Sequence, residues 1–222
     1  SRIRDQFYDS IRDGTTLVTT SGTCVGQVNA LSVLSTGGFE FGLSNRVTAT
    51  CYYGDGAVMD IERDVKLGGN LHSKGVMILS SWLASHFAVN DPMHLSASLT
   101  FEQNYGEVDG DSASLAELCA LISSLSGIPV RQDLAITGSV NQFGEVQPIG
   151  GVNEKVEGFF TTCQLKGGLS GSQGVIVPST NVQNLMLDSE VVQAVRGGQF
   201  AVYAVARVEE AITLLLGKPA GK

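Results

Sequence analysis

Basic residues are few in this chain. It carries 14 Lys and Arg against 22 Asp and Glu, a net charge of −8 over 222 residues, and the cations are scattered rather than clustered. That excludes a general nucleic-acid binder, because phosphate recognition needs grouped Lys and Arg. Cysteine is also scarce. Cys24, Cys51, Cys119 and Cys163 fall inside apolar patterns with neither a C-x-x-C pair nor a His ladder nearby, so reduced core thiols are expected and metal ligation is not. The three histidines, His72, His86 and His94, lack the carboxylate signature of a Ser-His-Asp triad. Apolar runs such as 115 to 125 are too short to span a bilayer, and no secretory leader opens the chain. A phosphate-binding loop is absent: "LGKPAGK" near the end has a Gly-Lys pair but neither the upstream glycine nor the hydroxyl residue. The expectation is a cytoplasmic protein with no membrane partner, no nucleic-acid partner, no metal, and no cofactor in this domain.

What is present suffices for a globular core, at 43% hydrophobic residues. A short helix is predicted over 3 to 13, followed by strands over 24 to 35, 39 to 54 and 57 to 63, joined by Gly-rich turns as an antiparallel meander. Residues 72 to 87 read as a helix and 93 to 101 as a strand. Leu115, Leu118, Cys119, Ile122 and Leu125 then follow the helical period until Gly127 and Pro129 stop it. A strand over 134 to 140, a helix carrying Val152, Val156, Phe159, Phe160 and Cys163, a strand over 174 to 178, a helix over 188 to 197, a strand over 200 to 206 and a last helix over 207 to 217 complete the pattern. The fold class expected is α+β, a β-rich N-terminal half followed by βα units. Residues 1 to 14, "SRIRDQFYDSIRDG", read as a helix or linker from an upstream region that has been removed, and residues 15 to 222 as one domain.

Two residues carry the chemistry. Ser112 stands after Gly110 and Asp111 at the mouth of a long apolar helix pattern. A serine there is ordinarily an N-cap. The same position suits a nucleophile, because a helix N-terminus offers unpaired N–H groups and partial positive charge where an oxyanion forms, and Gly110 lets substrate approach the backbone. Lys155 lies three residues after Val152 and four before Phe159, at the margin of an apolar helix face. It either snorkels its stem over the core or is desolvated, which lowers an ammonium pKa and fits a general base. Lys74, in "HSKG", is read as a structural or solvated charge.

The string "EVDGDSASLAELCALISSLSGIPVRQDLAITGSVNQFGEVQPIGGVNEKVEGFF", residues 107 to 160, resembles the proteolytic domain of the Lon protease family. That family places a Ser-Lys dyad in a G-x-S-A block and a later P-[IV]-G-G-x-x-x-K block. In this sequence the blocks are "GDSAS" and "PIGGVNEK", with Ser112 and Lys155 43 positions apart, from 112 to 155, the family's spacing. The Asp before the serine is similar to the B-type branch, as are "GQVNALSVL" and "VMDIERDVKLGGNLHSKGVMILSSWL", so the resemblance runs from about residue 22 to the last helix. It departs at Asp109, where that branch carries Glu.

The resemblance implies a Lon proteolytic-domain fold and a serine endopeptidase that degrades unfolded or damaged proteins. Ser112 would be the nucleophile and Lys155 its base. Thr137 would hydrogen-bond the lysine, and backbone N–H groups around Asp111 and Ser112 would hold the oxyanion. An ion pair between Asp111 and Lys155 would keep the lysine protonated and the site inactive. The family implies a homo-hexamer acting on unfolded protein or peptide substrates, with ATP and Mg needed only by an unfoldase module that this chain lacks. The alternative is a non-catalytic Lon-like domain acting as an assembly or binding platform. A G-x-S-x-G esterase is excluded, because position 114 is Ser.

Overall fold

The structure, a computed structural model, describes residues 2–53, 59–65, 95–102 and 112–217. The helix expected over 72 to 87, with Lys74 and the three histidines, lies outside the described residues, as do Asp109, Gly110 and Asp111.

The described strands are β1 (Thr23–Cys24), β2 (Gln27–Thr36), β3 (Phe39–Tyr53), β4 (Met59–Val65), β5 (Leu95–Glu102), β6 (Val130–Arg131), β7 (Leu134–Ile136), β8 (Ser139–Val140), β9 (Val146–Gln147), β10 (Gly174–Pro178) and β11 (Ala201–Val205). The helices are α1 (Arg2–Arg12), α2 (Ser114–Ser126), α3 (Val152–Leu165), α4 (Ser189–Arg196) and α5 (Val208–Leu216). Seven strands form one mixed sheet in the order β11-β10-β7-β2-β3-β5-β4, and β1-β6 and β8-β9 are separate two-stranded pieces. The result is the α+β architecture of a β-rich first half and βα units in the second.

The β2–β3 hairpin turns on Gly37 and Gly38, both at positive φ (54° and 81°), the backbone a tight primed turn demands. Its register sets Ser35 opposite Glu40, Ser32 opposite Leu43 and Ala30 opposite Asn45. The expected meander fails after this point. β4 pairs with β5 in parallel, at the sheet edge, while β5 takes the antiparallel place beside β3. Parallel neighbours cannot be joined by a tight hairpin, so β4 and β5 are not consecutive strands of a meander.

Strands β7 and β10 are buried along their whole length, as parallel strands covered on both faces are. Ile136 and Ile176 point into a cluster with Leu115, Leu118 and Cys119 of α2 and Ile212 and Leu215 of α5. Their neighbours Ala135, Val175 and Val177 point the other way, onto Val156, Phe159 and Cys163 of α3 and Val191 of α4. The sheet is therefore sandwiched, with α2 and α5 on one face and α3 and α4 on the other. Helix α1 adds a third cluster, burying Phe7 and Ile11 against Val18, Phe41 and Leu43.

Candidate active site

Helix α2 begins one step later than its apolar pattern suggests. Its N-cap is Ala113, with no side-chain cap bond, so Ser112 precedes the cap and is not the capping residue. The turn that holds Ser112 is tied to the end of β7 by reciprocal main-chain bonds: Gly138 N–H donates to Ser112 O at 3.1 Å, and Leu115 N–H donates to Gly138 O at 3.2 Å. Val140 N–H adds a bond to Ser114 Oγ at 3.0 Å. A side chain at Gly138 would strike Leu115 Cδ2 at 3.1 Å and Val146 Cγ1 at 3.2 Å, so glycine is what lets the strand come this close. The single strand expected over 134 to 140 is accordingly broken here into β7 and β8.

Helix α3 is positioned as tightly. Gly151, its N-cap, has φ 69°, and a Cβ on it would lie 2.6 Å from Val33 Cγ2. Gly151 is thus needed both for the left-handed turn and for contact with β2. Asn181, from the 3-10 turn after β10, grips the preceding loop at two points: Ile149 N–H donates to its Oδ1 and its Nδ2 donates to Ile149 O, both at 2.9 Å. Further along, Gly158 and Gly42 let α3 cross β3 backbone to backbone, since a Cβ on Gly42 would lie 2.1 Å from Glu154 O.

These constraints bring the starts of two helices, from opposite faces of the sheet, to one place. The sheet is open there. β7 pairs with β2 only at Asn29 and Ala30, so residues 31 to 36 of β2 have no strand partner on that side among the described residues. A cavity of about 240 Å³ lies along this edge, lined by Ser32, Val33, Ser35, Glu40, Gly150 and Gly151 together with Ser112 and Lys155. Ser112 is 6% exposed and Lys155 4%, so the lysine does not hold its ammonium out in water as a snorkelling side chain does. Of the other residues predicted for the site, Thr137 lies between β7 and Gly138, 1% exposed, and its Oγ1 has no hydrogen-bond partner among the described residues, so the expected bond to Lys155 is not formed here.

The sequence pattern does not single out Ser32, Asn45, Ser35 or Glu40. Asn45 Nδ2 donates to Ser32 Oγ at 2.7 Å, and Ser35 Oγ donates to Glu40 Oε1 at 3.0 Å. Both pairs cross the hairpin, and Ser32, Ser35 and Glu40 line the cavity, with Asn45 behind Ser32. The available signal was the Gly37-Gly38 turn, which fixes the register and so which polar residues become neighbours.

A family model described as the Lon protease (S16) C-terminal proteolytic domain matches residues 55–218. The chain belongs to the Lon protease family. It is 51% identical over 216 residues to a Lon protease homolog of Escherichia coli (strain K12), covering 96% of this chain and 37% of that protein. A Lon protease homolog of Haemophilus influenzae is 46% identical over 218 residues, covering 97% of the chain and 36% of the relative. An archaeal Lon protease of Archaeoglobus fulgidus is 30% identical over 216 residues, covering 97% and 32%. The chain thus spans about a third of the length of these Lon relatives. Among the described residues no helix is long and apolar enough to cross a membrane, and no group of three or more His, Cys, Asp or Glu is placed to hold a metal ion.

Proposed function

We propose that this domain is a serine endopeptidase in which Ser112 attacks the scissile carbonyl and Lys155 acts as its base. The observation that carries the reading is the shared cavity, which Ser112 and Lys155 both line although they start different helices on different faces of the sheet. Lysine burial supports the role, because desolvation disfavours the ammonium and an amine must be neutral to take a proton. Lys155 would accept the Ser112 proton and return it to the leaving amine. The start of α2 adds partial positive charge near the developing oxyanion, and backbone N–H groups around Asp111 and Ser112 would complete the hole. Thr137 is assigned as a support for the lysine.

The open edge of β2 suits an extended peptide, which would add to the sheet through main-chain bonds with Ser32 beside it. Unfolded polypeptides meet that requirement and folded ones do not. In this reading the domain works in the cytoplasm as a homo-hexamer, fed by an ATP-driven unfoldase module outside this chain. ATP and Mg belong to that module, and no residue here is assigned to them.

The test is cleavage of an unfolded protein and a fluorogenic peptide by the parent chain, Ser112→Ala and Lys155→Ala, at concentrations where a ring is shown to form. Loss of cleavage in both variants, with circular dichroism and Tm retained, is expected. Parental rates in Ser112→Ala refute the mechanism. Absence of cleavage in the parent ring favours the binding-platform alternative.

A further inference from the structure

We propose that Glu40 gives this site a preference for polypeptides carrying a lysine or arginine side chain beside the scissile bond. The proposal rests on the endopeptidase reading and goes beyond it by naming a substrate class. Among the described residues lining the cavity, Glu40 is the only carboxylate and Lys155 the only cation; the rest are Ser, Val and Gly. Among the described residues Glu40 makes no ion pair. It is nevertheless held, because Ser35, its register partner across the hairpin, donates to it at 3.0 Å.

The order of groups along the wall matches a long cationic side chain. Val33 offers an apolar surface for a methylene stem, and Glu40 lies beyond it at the exposed end of the hairpin, where a charged head keeps its water. On its other side Glu40 borders a second cavity of about 260 Å³, lined also by Glu154, Glu157 and Asp188. Glu154 and Asp188 add to the negative potential at the hairpin, Glu157 adds to it only as its raised carboxyl ionises near pH 7, and the Arg4 guanidinium in the same cavity offsets part of it. Arg4 enters this second cavity and rests over the Phe39 ring at 4.7 Å from its centroid. A guanidinium of the chain itself therefore already settles on the aromatic side of this hairpin, as such cations do on ring faces.

Binding and turnover are tested separately. In the Ser112→Ala background, fluorescence anisotropy compares two peptides that differ only in lysine or norleucine beside the scissile position, with and without Glu40→Gln. The lysine peptide is expected to bind about fivefold tighter at low salt, the range an exposed ion pair sustains. The advantage should shrink as salt rises and vanish in Glu40→Gln. Glu40→Lys is expected to reverse it in favour of a glutamate peptide. In the active chain the same ratio should appear in KM rather than kcat. An equal lysine advantage in the parent and Glu40→Gln overturns the proposal, as does no measurable affinity for either peptide. A lysine preference in binding that depends on Glu40, without any cleavage, upholds the assignment and refutes the endopeptidase reading. Cleavage of both peptides with no preference does the reverse.

Discussion

Gly42→Ala probes the contact that seats Lys155. Gly42 lies in β3 without a positive φ, so alanine meets no backbone strain there and any effect is steric. The new Cβ would fall 2.1 Å from Glu154 O, 2.8 Å from Glu154 C and 3.0 Å from Lys155 Cα. Carbon contacts are comfortable at about 3.5 Å, so α3 has to back away by more than an ångström. It cannot tilt freely, because Gly158 crosses the same strand and a Cβ there would lie 2.6 Å from Gly42 O. Overpacking of this kind costs about 1–3 kcal/mol, and replacing a strand glycine returns about 0.5–1 kcal/mol. A net loss of about 1–2 kcal/mol is expected as a lower urea midpoint at unchanged m. Displacement of Lys155 by about 1 Å should lower kcat by roughly a hundredfold. Gly150→Ala is the stability control, since its Cβ meets nothing within 4 Å and its unfolding free energy should change by less than about 0.5 kcal/mol. A Gly42→Ala chain with parental midpoint and parental kcat refutes the idea that this crossing holds the lysine in place.

Two further outcomes follow from titrating groups. Burial, then repulsion from Asp188 and Glu154, raises the Glu157 carboxyl to about 7 from its ordinary 4.5. The folded state therefore holds a proton that the unfolded chain has released, and the stability this contributes is present below about pH 4.5 and lost as pH rises through 7. The Tm of the parent, measured relative to Glu157→Gln, should fall between pH 5 and 8; a constant difference refutes the assignment. For the thiols, burial pushes Cys119 up to about 12 and Cys163 also upward, whereas Cys24 and Cys51 are only partly buried. A thiol reagent at pH 8 should modify Cys24 first and leave Cys119 and Cys163 untouched until the protein unfolds; early labelling of Cys119 by mass spectrometry contradicts this packing.

Local patterns proved readable wherever one periodicity governed a segment. The helical period from Leu115 to Leu125, with Gly127 as its stop, is α2 ending in a left-handed Gly127 at φ 73°. The run "GVIVP" is β10 to the residue, because a strand covered on both faces has no alternation to disguise it. Where two strands compete for a neighbour, the pattern is silent. The alternation in β4 says nothing about whether it joins β3 or β5, and hydrogen bonding settled on β5. The single apolar stretch from 134 to 140 likewise could not reveal that its second half leaves the sheet, since the cause is the clamp between Gly138 and the turn at Ser112.

By itself the sequence determined the family, the αβ succession and the identity of the two residues with dyad spacing, because each is written in local order: periods, caps and short blocks. The tertiary structure alone decided that Ser112 is no cap, that Lys155 is buried in the same cavity, and that Ser32, Ser35 and Glu40 line it with them. Those facts depend on the hairpin register, on the short pairing of β7 with β2 that leaves an edge open, on Gly42 and Gly158 that let backbones touch, and on Gly138 and Gly151 that leave room for neighbouring side chains. Contacts between residues far apart in the chain are set by packing, and packing has no local signature.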